Sequence, residues 1–313
     1  MSDAGVEAAS PVVRRVRAYF APVARATGQA AIFDPAQAGT FAVDAPPAPW
    51  LDLGWVYGFA RKCETKVEAV RTGAPAIAQL QVRTEVEATL ALEFGNWGKL
   101  QLALAAGTQQ MNLLIVATGA AAAGSGGTAV AATALAAGST ASVLQIGAGA
   151  SGFAVGQMVA VDVDYAGTTG FVGSGVSGAY LRTAVSDVDY VRRVTLNVGR
   201  IAAVGSGALT LEAPLLAGAP ASGMKVSAAV GFCDREGSSF FQEWSGLFVM
   251  DGQQGERVVL HYPRLQAMSG AAEATVATGG FETVRLAGAF RALPVRDAVD
   301  GEQVVCFRSY LPG

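Results

Sequence analysis

Residues 79–94, "QLQVRTEVEATLALEF", constrain the fold more than any other stretch of this chain. Leu80, Val82, Thr84, Val86, Ala88, Leu90, Leu92 and Phe94 alternate with Gln79, Gln81, Arg83, Glu85, Glu87, Thr89, Ala91 and Glu93. A period of two is the signature of a β-strand, whose successive side chains point to opposite faces. At 3.3 Å per residue the strand would run about 50 Å, where strands of ordinary domains stop at ~17–20 Å. The remaining sequence has to account for a strand this long, apolar on one side and mostly acidic on the other.

Composition narrows the settings in which such a strand makes sense. The 313 residues are 51% hydrophobic and only 15% charged, with 39 glycines and a mean hydropathy of +0.37, against ~25% charge in ordinary globular chains. So little charge suggests apolar surface that the fold alone does not bury, and hence a membrane or an assembly. No charged residue falls between Lys99 and Asp162, yet the strongly apolar part of that gap is only 113–116, and the rest is Ala, Gly, Ser and Thr. A spanning helix needs ~20 predominantly apolar residues, and glycine-rich sequence is poor helix material, so no membrane insertion is expected. The first twenty residues lack the basic region and apolar run of a secretory signal. Cys63, Cys233 and Cys306 are odd in number and far apart, which fits a reducing cytoplasm better than a disulfide framework. A net charge of −3 lacks the basic excess of a tight nucleic-acid binder. The local cluster Arg14, Arg15, Arg17 and Arg25 reads as a solvated or subunit-contacting segment.

Along the chain, 1–50 reads as an N-terminal extended arm. It holds a short helix around "VVRRVRAYFAPVAR" and then the proline-rich "APPAP", which favours extended backbone. The long strand follows 51–78. "NWGKLQLALAAG" then changes period: Asn96 as N-cap, Leu100, Ala103 and Leu104 on one stripe and Gly107 as left-handed stop give one short helix. From 118 the composition shifts to an Ala/Gly connector, and short strands at glycine-punctuated spacing follow, the pattern of a small β-barrel or sandwich. After about 231, long strands return in "GERVVLHYPRLQAM" and "FETVRLAGAFRALPVRD"; "SSFFQEWSGLFVM" is readable as strand or helix. The expected organisation is a discontinuous core, 51–117 and 231–313, with a β domain inserted at 118–230.

No motif supplies catalytic chemistry. His261 is the only histidine and sits in a strand, so a nucleophile activated through it is not the favoured reading. "GAGASG" at 147–152 matches the dinucleotide fingerprint, but a strand follows where the pyrophosphate requires a helix N-terminus. The two "DVDY" segments, at 162–165 and 187–190, lack the spacing of an EF-hand loop. One histidine and three scattered cysteines make no zinc cluster. No cofactor, no metal and no enzymatic activity are expected.

The 79–94 strand followed by "WGKLQLALAAGTQQMN", the preceding "WLDLGWVYGFARKCETKVEAVRTG" and the C-terminal "FRALPVRD" resemble the major tail proteins of tailed bacteriophages, the subunits of the tail tube. The resemblance spans about 50–116 and 231–313 and rests on a strand–helix–strand pattern. It implies a mainly β fold: two packed antiparallel sheets forming a tube-wall β-barrel unit with one short flanking α-helix, here carrying an inserted small β-barrel or sandwich domain on the tube exterior. It implies hexameric rings that stack into a hollow tube, made in the host cytoplasm and located in the virion tail. Its partners would be further copies of itself, tail terminator and tail tip or baseplate proteins, with tape-measure protein and DNA passing through without tight binding. Leu80, Val82, Val86, Leu90, Leu92 and Phe94 would then pack on the subunit's own core, and Gln79, Gln81, Arg83, Glu85, Glu87 and Glu93 would face an acidic lumen that does not retain DNA. An exterior domain would obstruct a contractile sheath, which favours a long non-contractile tail, with host-surface contact as a role for the insertion. The alternatives are a tube of a contractile injection or secretion system, a membrane β-barrel and a β-fold enzyme.

Overall fold

The computed structural model describes residues 13–23, 29–40, 42, 44–115, 131–162, 169–170, 178–179, 196–221, 223–235, 241–253, 255–268, 273–278 and 281–312. The chain divides into two compact units. Met1–Val23, Ala30–Gly107 and Glu243–Gly313 form the first, Ala24–Gln29 and Thr108–Gln242 the second. In chain order the first unit opens with β1 (Val13–Pro22), β2 (Leu51–Thr72), β3 (Ile77–Phe94) and α1 (Lys99–Ala106). The second contributes β4 (Gln109–Leu114), β5 (Ala132–Ala134), β6 (Val143–Gln145), β7 (Met158–Asp162), β8 (Thr169–Gly170), β9 (Gly178–Ala179), β10 (Val198–Val204), β11 (Ala208–Leu211) and β12 (Lys225–Arg235). The first unit then resumes with β13 (Glu243–Gly252), β14 (Arg257–Ala267), β15 (Glu273–Thr278), β16 (Phe281–Ala292), β17 (Val295–Arg296), β18 (Gln303–Val304) and β19 (Phe307–Leu311). The protein is mainly β, with antiparallel sheets and a single α-helix among the described residues.

The first unit is built on an eight-stranded sheet, ordered β15-β16-β3-β2-β1-β13-β14-β19, in which β16 also pairs β14, with β17 and β18 forming a separate two-stranded sheet. That last pairing, Leu265↔Ala292 to Ala267↔Phe290, curls the sheet until β16, β3, β2, β1, β13 and β14 close a ring. Period-two patterning puts Phe20, Leu90, Leu92, Trp244, Phe248, Tyr262, Leu265, Leu286 and Phe290 inside, all buried. Phe20 meets Phe248 edge-on at 5.9 Å and Phe290 at 5.4 Å, the geometry aromatic quadrupoles favour. A Cβ at Gly246 would come within 2.5 Å of Leu265 Cδ1, and one at Gly288 within 2.9 Å of Phe94 Cε2; the two glycines make room for these interior side chains. On the outer face, Tyr19, Ala21, Leu247, Val249 and Val259 are covered by Trp50, Ala31, Phe33 and Leu311.

Two expectations about the chain's beginning change. Val13–Pro22 is neither arm nor helix but a strand between β2 and β13, with Ala18, Tyr19, Phe20 and Ala21 fully buried. Its two faces go to different environments: Ala18 and Phe20 to the barrel interior, Arg15 and Arg17 outward. There Arg15 lies 4.0 Å and Arg17 5.0 Å from the Trp55 ring. Arg17 also grips the Asp52 carboxylate through Nε and Nη2, and Asp44 through Nη1, and the Asp52 bond raises its already high pKa further. Residues 1–12 and Arg25 lie outside the described residues. In α1 the N-cap is Gly98, without a side-chain hydrogen bond, and not Asn96; Gly107 is the left-handed C-cap at φ 62°, its N–H donating to the Ala103 carbonyl.

The second unit is wider than the expected 118–230, because β4 and the whole of β12 belong to its sheet. β4 pairs β12 from Gln109↔Arg235 to Leu114↔Ala229, so the unit's first and last strands are direct neighbours. Its sheet runs β6-β11-β10-β7-β12-β4-β9-β8, with β5 on β12. The core gathers Leu144, Ile146, Val159, Val161, Ile201, Leu209, Leu211 and Val226. "GAGASG" is a 3-10 turn, Gly147–Gly152, leading back into strand β7. No α-helix follows to receive a pyrophosphate.

Candidate functional site

The long strand is the return limb of a long hairpin. β2 and β3 pair from Val56↔Phe94 to Thr72↔Ile77 around the turn at 73–76. Only the base of this hairpin belongs to the barrel: β1 pairs β2 from Leu51 to Val56, and β16 pairs β3 from Ala88 to Phe94. Phe59 packs 4.8 Å from Phe248, and Arg61 Nε donates to the Tyr262 hydroxyl at 3.0 Å, fixing the last anchored turn of the ribbon. Beyond it, every residue from 62 to 87 is exposed. Among the described residues, neither β2 after Val56 nor β3 before Ala88 has a strand on its outer side. The hairpin thus stands out by about 35 Å as a two-stranded ribbon, with two open edges and two wet faces.

This placement corrects the expected core face. Leu90, Leu92 and Phe94 are buried, at 2%, 2% and 6% exposure, but Leu80, Val82 and Val86 stand at 59%, 42% and 45%. The β16 ladder ends at Ala88, and among the described residues no further strand flanks β3 before it. Six large hydrophobic side chains are exposed between 67 and 86 counting Val67, Val70 and Ile77, a density that marks an interaction surface.

The expected polar face is corrected as well, because the alternation of β3 slips twice. Lys66 opposes Glu85 while the next residue, Val67, opposes Arg83, so Thr84 is an extra residue on β3; Gln79 is a second between Val70↔Leu80 and Arg71↔Ala78. Directly opposed residues share a face, and β2 runs through both places without interruption. Glu85, Glu87 and Glu93 therefore share one face with Lys62, Glu64, Lys66 and Glu68, and beyond the bulge Leu80, Val82 and Val70 come onto that same face. Arg83 and Gln81 move to the other, with Val86 and Val67; Gln79 is the bulge residue itself. β-bulges produce this kind of re-aiming.

Nor is the glutamate face as acidic as β3 alone suggests. Arg291 Nη2 lies 2.8 Å from Glu87 Oε1, Arg285 Nη1 3.3 Å from Glu93 Oε2, and Lys62 Nζ 2.6 Å from Glu64 Oε1. The hydrogen bond to Glu64 holds the Lys62 ammonium above its ordinary pKa. Over this stretch the carboxylates of Glu64, Glu68, Glu85, Glu87 and Glu93 meet the cations of Lys62, Lys66, Arg285 and Arg291, which leaves a net charge of −1.

The one histidine has a structural setting. His261 is 2% exposed and Ser245 0%. The Ser245 hydroxyl donates to the Ala31 carbonyl oxygen at 2.7 Å, and His261 Nε2 lies 3.2 Å from both that oxygen and Ser245 Oγ. Nδ1 has no hydrogen-bond partner, which places the proton on Nε2. Burial lowers the imidazole pKa to about 4, against a smaller opposing effect of the Ala31 bond. Ring contacts to Trp50 and Phe307 close the site. A serine that spends its proton on a backbone carbonyl and has no access to solvent is pinning the Ala31 segment to the barrel.

No group of three or more His, Cys, Asp or Glu side chains is arranged to hold a metal ion among the described residues. Most of the first "DVDY" and all of the second lie outside them. Cys63 is exposed and Cys306 half-buried, both as free thiols, and the side chain of Cys233 is outside the described set. No described helix is long and apolar enough to cross a membrane. No protein-family model matches the chain, and no curated protein matches it.

Proposed function

We propose that this protein is a structural subunit that assembles through its hairpin into a hollow tube, the tail tube of a tailed bacteriophage. The observation that carries the reading is the ribbon from 62 to 87, exposed on both faces and open at both edges while its base is locked into a barrel. A lone two-stranded ribbon is marginal in water, and open edges are templates for pairing with another chain. Hairpins of successive copies, joined edge to edge in a closed wall, satisfy both demands at once. The low charge of the chain follows from the same cause, since surface that looks exposed in one copy is buried in the assembly.

In the tube the Glu85/Glu87/Glu93 face lines the lumen at the level of the barrel. Its carboxylates are mostly ion-paired and it carries a net −1 per copy, so a passing phosphate backbone finds few cations free to hold it. Past the bulge the same side turns apolar through Val70, Leu80 and Val82, and there the ribbon is covered by a neighbouring copy.

The test is negative-stain electron microscopy of the purified protein over a concentration series, with and without Leu80→Asp/Val82→Asp. Hollow rings or tubes from the wild type, lost in the double variant, are expected. Wild-type particles that never exceed a compact oligomer without a channel, even when seeded with preformed tail tips, overturn the reading.

A further inference from the structure

The two open edges of the hairpin are not equivalent. Along the ribbon β3 carries both bulges, at Thr84 and Gln79, whereas every residue of β2 from Ala60 to Thr72 has a partner; the irregularity of β2, at 58–59, lies at the anchored base. Bulged edges resist further pairing, and a regular edge invites it. The regular edge also carries a distinctive charge sequence. Lys62, Glu64, Lys66 and Glu68 follow one another at every second residue and therefore share one face.

A strand of this kind is complementary to itself when run antiparallel. With Thr65 opposite Thr65 of a second copy, Lys62 faces Glu68, Glu64 faces Lys66, and the two-fold axis repeats both pairs. On the same face Ala60 meets Val70. On the opposite face Cys63 meets Val67, and Arg61 meets Ala69. No like charges are opposed anywhere from 60 to 70 in this register. Cross-strand pairs of opposite charge stabilise an antiparallel pairing and like charges oppose it. Such a contact uses the same patch on both partners, as a two-fold interface must.

We propose that the free edge of β2 is a two-fold self-recognition surface, through which two copies of this chain pair antiparallel about Thr65. The pairing is independent of the tube reading. Where both hold, it defines a soluble dimer: its partners point in opposite directions, so it masks the regular edge and has to part before copies can add with one polarity.

The experiment uses sedimentation velocity on the full chain across a concentration series at low and high salt. The wild type is expected to dimerise, and the dimer to weaken with salt as exposed ion pairs are screened. Two surface variants separate the cause: Glu64→Lys/Glu68→Lys makes the edge uniformly cationic, and Lys62→Glu/Lys66→Glu makes it uniformly anionic. Each alone should dimerise at least tenfold more weakly, and their equimolar mixture should recover a heterodimer of wild-type strength. In a Cys63→Ser background, Thr65→Cys should give a disulfide-linked dimer on oxidation with diamide. A wild type that stays monomeric throughout, a charge-reversed variant that dimerises normally, or a mixture that remains monomeric each overturns the proposal. A wild type that forms tubes yet never dimerises in sedimentation would leave the tube reading standing while this inference falls.

Discussion

At the scale of single residues, the same side chain at the same period has different consequences along β3. Leu90 is 2% exposed in the barrel and Leu80 59% exposed on the ribbon. Leu90→Ala should lower the stability of the isolated chain by about 2–5 kcal/mol, the usual cost of a buried leucine cavity. Leu80→Ala should change it by less than about 0.5 kcal/mol and yet weaken assembly. Urea unfolding of the two variants, set beside their yield of rings or tubes, separates the effects. His261 makes a second prediction. Its folded pKa of about 4 lies below the ordinary 6.5, so between these values the unfolded chain binds the extra proton. The stability it contributes is complete above pH 6.5 and is lost as pH falls through 4, by at most about 3 kcal/mol at 1.36 kcal/mol per unit. Chemical denaturation at pH 7, 5.5 and 4 should show this component in the wild type and its absence in His261→Asn.

At the scale of elements, the hairpin beyond residue 61 has, among the described residues, no sheet neighbour outside its own two strands and no buried residue from 62 to 87. Backbone amides from 62 to 87 should exchange with solvent within seconds in the dispersed protein, while those of β13 and β14 stay protected through global opening only. Assembly should slow the hairpin's exchange by orders of magnitude. Hydrogen-exchange mass spectrometry on dispersed and assembled protein checks this, and equal exchange in both states would exclude the hairpin from the contact. The long strand and the short helix are legible in sequence because period and stop signals are local: Gly107 ends α1 wherever the helix packs. The bulge at Thr84 is not legible, because "RTE" carries no turn chemistry and the slip is set by hydrogen-bond register with β2. Strand β1 reads as an arm in sequence for a related reason. Its outward face begins with Arg15 and Arg17, whose partners Trp55, Asp52, Asp44 and Asp251 are brought there by other segments.

At the scale of the whole molecule, the second unit has its own core and enters and leaves through adjacent strands, Gln109 opposite Arg235. Such a module can be inserted with little disturbance to its host. Residues 108–242 expressed alone should therefore fold and melt cooperatively; circular dichroism showing a featureless coil with no thermal transition would mean that the unit depends on the rest of the chain. A composition shift marks this unit in sequence near residue 118, but its true limit lies about ten residues earlier, because "QQMNLL" completes its sheet and only strand pairing reveals that.

By itself the sequence determines the β class, the short helix that follows the long strand and the existence of an inserted module, because each rests on local spacing or on residue type. Only the tertiary structure decides which part of the long strand is core and which is free, since that depends on where β16 stops. It alone decides the charge of the glutamate face as well. Arg285 reaches Glu93 across 192 residues of chain, and no pattern within one strand can contain a partner that folding delivers from another.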